Sequence, residues 1–238
     1  MEFFSGIQYN IKGLLLSLKT PSLLLLGLLR FFVVFALTLS LSGLILLHHD
    51  NILSMIWTAP DGGWLIYVWH VASWLLSLFL AGIAMIIAYL IAQLFFCVFI
   101  MDYMSRITER LVLGHEKHPV QASWVAFFIY LIRQEIPRAV IPVLISIVIM
   151  GLGLFTPISP AILIISAMAG AMFMAWDNTD LVPARRMKPF SERLGFLKRH
   201  LLFHLGFGLL FLIPWLNILI LSFAPVGATL YVIDKEDR

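Results

Sequence analysis

Charge is scarce in this chain. Asp, Glu, Lys and Arg supply 12% of its 238 residues, 61% are hydrophobic, and the mean hydropathy is +0.99. Soluble domains are near half apolar and a quarter charged, so that class is excluded and an integral membrane protein is expected. Cysteine is almost absent as well. Cys97 stands alone inside an apolar run, which excludes an internal disulfide and a thiolate metal cluster and leaves a packing role. No Ser/Gly-rich linker or shift in composition divides the chain, so residues 1–238 read as a single membrane domain. The apolar runs are too long and too poorly alternating for barrel strands, and spanning elements that are not barrel strands must be helices. Catalytic signatures are missing too: no His-Glu-x-x-His, no Gly-rich phosphate loop and no Gly-x-Ser-x-Gly elbow. The expectation is therefore a non-enzyme with no cofactor, no metal and no nucleic-acid partner.

What is present follows helical periods. Residues 2–18 set Phe3, Phe4, Ile7, Ile11, Leu14, Leu15 and Leu18 on one side and mostly polar residues on the other, the pattern of an amphipathic helix lying in the interface. Pro21 punctuates, and residues 23–47 are long enough to span a hydrocarbon core of about 30 Å. That run starts too late and extends too far for a signal peptide. After a loop with turn chemistry at Pro60-Asp61-Gly62-Gly63, flanked by Trp57, Trp64, Trp69 and Trp74 as an aromatic belt, a second span is expected over 71–101, extended to about Gly114. Ala84, Ala88 and Ala92 give it a small-residue face for close helix approach. Residues 139–155 and 161–176, separated by TPISP, predict arms of only about 24 to 26 Å. Residues 201–213 and 218–232 repeat the arrangement. The pattern predicts an all-α membrane protein with two long transmembrane helices, two partly penetrating hairpins (139–176 and 201–232) and the N-terminal amphipathic helix.

The basic residues set sidedness. Apart from Arg30, every Lys and Arg lies before Pro21 or after Met101, at the hairpin ends and never at their tips. The positive-inside rule then places both termini in the cytoplasm and residues 48–63 outside. The segment with Arg185, Arg186, Lys188, Arg193, Lys198 and Arg199 predicts a cytoplasmic basic surface that either gathers anions or binds anionic headgroups and fixes topology. His48-His49-Asp50 reads as a solvated helix end, because neighbouring helical residues diverge and no further metal ligands surround them. Asp177, Asp180 and Glu192 read as helix caps or neutralisers of nearby arginines. Arg30 is the one charge inside either long span. Its guanidinium can hold a tetrahedral oxyanion through its fork of donors, or snorkel about 10 Å back along the helix to the headgroups.

The second half resembles a known family. IPRAVIPVLI at 136–145, the stretch from Asp180 to Pro189-Phe190 and IPWLNILILSFAPVGATLYVID at 213–234 are similar to the CysZ sulfate-permease family, whose wider group includes the eukaryotic etoposide-induced membrane proteins. Pro137, Arg138, Asp180, Pro189, Phe190, Pro214, Asn217 and Gly227 are family-like structural positions, with Glu109 and Gly114 beside them. The resemblance implies two long transmembrane helices with two partly penetrating hairpins. It also implies an oligomeric inner-membrane protein admitting sulfate for cysteine synthesis. In that family a Gly-Leu/Ile-Arg-Arg motif near the start of the first spanning helix binds sulfate. The nearest match here is Gly27, Leu28, Leu29 and Arg30, with one residue inserted and one arginine missing.

The resulting expectation is a passive permease or channel for sulfate or a related small anion, with Arg30 as the anion contact. The alternative is a non-transporting scaffold of the same fold that organises lipids or partner proteins. Partial hairpins keep their tips away from the outer face, so cysteines introduced at Ser159 and Asn217 should resist an impermeant thiol reagent added from outside. Ready labelling at those positions would mean full spans.

Overall fold

The computed structural model describes residues 2–48, 62–92, 96–115, 159–213 and 216–237, with scattered positions in 51–58 and 140–153. Among the sequence features above, His49, Asp50, Pro60, Asp61, Pro137, Arg138, Pro214 and most of the arm at 139–155 lie outside the described residues. Every described element is helical, and the chain forms two compact units, Leu28–Ile100 and the remainder, Met1–Gly27 with Met101–Arg238.

Helix α1 covers Glu2–Lys19 and α2 covers Pro21–Leu47, with Thr20 alone between them. Pro21 has no N–H to donate and disfavours helical geometry in the residue before it, so one helix ends and the next starts with proline in its first turn. Leu24 N–H donates to the Thr20 carbonyl at 3.0 Å and sets the new register. Helix α3, Leu65–Ala92, begins directly after the Gly62-Gly63 turn, six residues ahead of the expected span. Tyr67 N–H already reaches the Trp64 carbonyl at 3.2 Å, so the turn nucleates the helix before the strongly apolar run begins. Ser73, Ser77, Ala81, Ala84, Ala88 and Ala92 form its buried stripe.

The expected extension to Gly114 is helical from residue 96 onward. A wide π-type turn at Phe96-Cys97 precedes α4, Val98–Leu113, and Gly114 closes it at φ +77°, the left-handed value that favours glycine. The remaining helices are α5 (Ser159–Thr179), α6 (Leu181–Arg185), α7 (Phe190–Arg199), α8 (Leu201–Leu209) with a 3-10 turn at Leu210–Leu212, and α9 (Leu216–Glu236). Among the described residues, three helices are long and apolar enough to cross a membrane: α2, α3 over Leu65–Met85, and α5 over Pro160–Thr179. The last corrects the expected short arm. Asn178 and Thr179, which look like a polar helix end, donate back to the Met174 and Trp176 carbonyls at 2.7 and 3.1 Å and prolong the helix to about 31 Å. Helices α7 and α8 form a pair bent by 75° at His200.

Packing in the larger unit follows membrane logic. Helix α1 packs on α8 and α9, and α5 packs on the same two helices. The expected interfacial helix turns a protein-facing side where water was anticipated: Gly6, Asn10, Gly13 and Ser17 are buried, while Phe4, Ile11, Leu15 and Leu18 are exposed. Lipid is as apolar as leucine, so helices gain by bringing backbones close over small residues, with a few interhelical hydrogen bonds. Asn10 Nδ2 supplies one, donating to the Phe207 carbonyl at 2.8 Å. At Gly206 a Cβ would collide with the Phe3 carbonyl, and at Gly13 with the backbone of Gly227. An aromatic core of Phe196, Phe203, Phe207, Phe211 and Tyr231 fills the space beneath, with Phe203 and Tyr231 stacked at 3.4 Å.

This geometry separates two glycines. Gly206→Val should lower the thermal midpoint of the detergent-solubilised protein by overpacking worth about 1–3 kcal/mol. Gly195, inside α7 with open space around it, should tolerate alanine and gain about 0.5–1 kcal/mol. Equal midpoints for the two variants would contradict the close approach.

Candidate functional site

The four residues of the arginine motif diverge around α2. Gly27 is buried, and a Cβ there would strike the Phe223 ring, so it serves contact with α9. Leu28 and Leu29 are exposed. Arg30 is 3% exposed, and its guanidinium hydrogen-bonds the buried Cys97 thiol. All four lie inside a continuous helix, where backbone N–H groups are paired with carbonyls four residues earlier. Of these four residues only Arg30 offers a donor side chain, and none offers a free backbone amide.

The basic segment is drawn inward. Helix α4 places Asp102, Ser105 and Glu109 along one face, at spacings of three and four residues. Glu109 has no solvent exposure, and both of its oxygens are engaged: Arg185 donates to Oε2 at 2.5 Å and Arg186 to Oε1 at 2.8 Å. Arg185 also donates to Asp102 at 2.9 Å and to the Ser105 hydroxyl at 3.3 Å, and Thr229 of α9 donates to Ser105 at 2.8 Å. Arg186 grips Asp237 side by side, with Nη1 at 3.0 Å from Oδ1 and Nη2 at 2.5 Å from Oδ2. Lys188 lies 2.8 Å from Glu192 and 3.0 Å from Glu236. Burial pushes the Arg186 and Lys188 cations toward neutrality, but the carboxylates beside each outweigh it and hold both above their usual values.

A local turn follows the two arginines. Met187 sits at φ 53° after α6, its N–H donating to the Ala184 carbonyl and that of Lys188 to the Pro183 carbonyl, both at 3.0 Å. This is the helix-ending motif in which glycine is usual, and a methionine there is strained. Arg185 closes α6 and Arg186 caps it, and their long side chains meet one carboxylate; the turn then carries Lys188 toward Glu236. A second buried pair lies nearby in sequence: Arg193, on α7, donates from Nε to Asp180 at 2.8 Å and from Nη2 to its other oxygen. Asp180 makes no side-chain cap bond, so it neutralises an arginine rather than capping α6.

Of the six basic residues, Arg185, Arg186, Lys188 and Arg193 thus have carboxylate partners, and Lys198 and Arg199 are exposed. Among the family-like positions, Pro189 starts α7, Phe190 meets the Trp176 ring at 6.2 Å, and Gly227 lies against Tyr9 and Asn10 of α1. Asn217 is in the first turn of α9. His48 Nδ1 donates to the Leu44 carbonyl, 2.9 Å away, at the end of α2. Sequence reading missed Asp102, Ser105, Thr229 and Asp237. The visible signal was the polar face of α4, obscured by the apolar stripe Met104, Ile107 and Leu111, of which Leu111 is exposed.

All-helical architecture with several helices able to cross a membrane defines a multi-pass membrane protein. The profile of the family described as sulfate transporter CysZ/etoposide-induced protein 2.4 matches residues 9–222, and the chain belongs to that family. No curated protein matches it.

The cluster predicts a steep contrast in stability. Glu109→Ala leaves Arg185 and Arg186 without their shared carboxylate and should cost roughly 3–5 kcal/mol. Arg106→Ala removes a half-buried i,i+4 pair with Asp102, which keeps Arg185, and should cost about 1 kcal/mol. Chemical unfolding of the two purified variants tests the ordering.

Proposed function

We propose that the protein is a passive inner-membrane permease or channel for sulfate or a related small anion, supplying assimilation into cysteine, with Arg30 as the anion contact. The observation that carries this reading is the burial of Arg30, the one Asp, Glu, Lys or Arg within α2 and α3, in a member of a family that includes sulfate transporters. An ionisable residue inside an apolar span marks a substrate or ion pathway more often than it serves packing. The absence of a nucleotide-binding motif favours flow down a gradient. The asymmetry of Lys and Arg supports cytoplasmic termini. A pore among hairpins or between protomers of a homo-oligomer, with lipid around it, completes the reading.

The scaffold reading has its own support: Gly27 is used for packing on Phe223, and four of the six basic residues are engaged in internal ion pairs. Sulfate flux into liposomes separates the two. The wild-type chain should exceed empty liposomes. Arg30→Ala should reduce flux at least about tenfold, in keeping with the loss of a charged hydrogen-bond donor worth about 1.5–3 kcal/mol, and abolish stabilisation by sulfate while helix content stays unchanged. Flux at the level of empty liposomes from folded wild-type protein would favour the scaffold.

A further inference from the structure

Arg186 and Lys188 differ from the other basic residues of their segment in two ways. Their side chains are 13% and 25% exposed, so solvent reaches them, whereas Arg185 and Arg193 are sealed. Their partners include neighbouring carboxylates from the end of α9, Glu236 and Asp237. Asp237 presents both oxygens to both terminal nitrogens of Arg186, and Glu236 lies 3.0 Å from Lys188 and 3.5 Å from Arg186. That is how an arginine fork takes two oxygens of a sulfate or phosphate, with a lysine meeting a third.

We propose that Arg186 and Lys188 form a binding site for a tetrahedral oxyanion, and that Glu236 and Asp237 occupy it as a competing internal ligand. Preorganisation comes from Glu109, which holds Arg186 through Nη2 from the far side, and from the Met187 turn, which brings Arg186 and Lys188 to the same end of α9. Charge sets the competition. In the described ion pairs of this cluster, five carboxylates (Asp102, Glu109, Glu192, Glu236, Asp237) face four cations (Arg106, Arg185, Arg186, Lys188). Without the two from α9, three carboxylates face four cations, and the cluster changes from repelling a free anion to attracting one. The choice of a sulfate-like ligand rests on the transport reading, whereas the geometry stands without it.

Equilibrium binding tests this independently of flux. In detergent, the double variant Glu236→Gln/Asp237→Asn should be stabilised by sodium sulfate but not by sodium chloride at equal ionic strength, with a midpoint for sulfate at least tenfold lower than in the unaltered chain. Adding Arg186→Gln should erase that response. If the double variant folds, as judged by helix content, and responds to sulfate no more than to chloride, the site does not exist. The unaltered chain supplies a second readout that needs no variant. Hydrogen exchange in residues 230–237 should rise with sulfate and not with chloride, as the displaced turn loosens. Exchange in nanodiscs of phosphatidylglycerol against phosphatidylcholine identifies the source: a rise with phosphatidylglycerol and none with sulfate assigns the oxyanion to a lipid headgroup. Exchange that is indifferent to sulfate and to both lipids overturns the proposal.

Discussion

A carboxylate removed from water must be met by cations, because the desolvation of one ion costs several kcal/mol even after the protein relaxes. Glu109 imposes that requirement at the inner face of α4, and much of the larger unit is arranged to satisfy it. Arg185, the last residue of α6, and Arg186, which caps it, converge on its two oxygens before Met187 turns the chain into the left-handed region. From there Arg185 reaches Asp102 and Ser105, Ser105 accepts from Thr229, and Arg186 extends to Asp237. Helix α4, the turn after α6 and the C-terminal half of α9 are thereby tied through one acid. Such a network adds little net energy over a well-packed apolar one, but removing any member is costly, so it fixes one arrangement against alternatives.

The same α9 carries the small residues that admit α1. Gly227 lies against the α1 backbone while Thr229, two residues on and so on a different face, joins the Glu109 network. Helix α8 repeats the device, with Gly206 against Phe3 and Gly208 against Ala171 of α5. In water a helix is placed by its apolar stripe. Here the apolar stripe of α1 faces outward and its small and polar residues do the placing.

That inversion explains which parts of the fold were legible in sequence. Hydropathy and length made the all-helical membrane character legible, since both report a residue's preference for lipid regardless of what covers the other side. Facing was not legible for α1, because Gly6, Asn10, Gly13 and Ser17 look like a solvated face until a partner helix is known to lie there. The end of α5 was misjudged for a related reason: the expected arm stopped with the apolar run at 176, yet the Asn178 and Thr179 side chains fold back onto helix carbonyls. The ion-pair cluster was half legible. Six basic residues in a short segment announce a charged element, and Asp180 and Glu192 within it read as neutralisers, but the acids of Arg185 and Arg186 arrive from positions 102, 109 and 237, and a second acid for Lys188 from 236, far along the chain. Only the fold brings those charges together, which is why a run that reads as a basic surface turns out largely neutralised.

Arg30 is the complementary case, isolated in sequence and consequential in place. A snorkelling arginine lies along the outside of its helix toward the headgroups and keeps its stem exposed. At 3% exposure Arg30 is instead enclosed by protein, beside the buried Cys97 thiol. Within the proposed permease, one arginine in place of the two in the family motif favours passage over retention. Two forks would grip sulfate more firmly, but an ion held for long is an ion that does not pass, and conduction needs a site strong enough to draw the anion in and weak enough to release it. A single enclosed guanidinium, with no free backbone amide among the four residues of the motif, lies toward the weak end of that range. It would select for charge and for the fork's geometry more than for the full shape of sulfate, so other tetrahedral oxyanions should compete with sulfate at Arg30 on nearly equal terms.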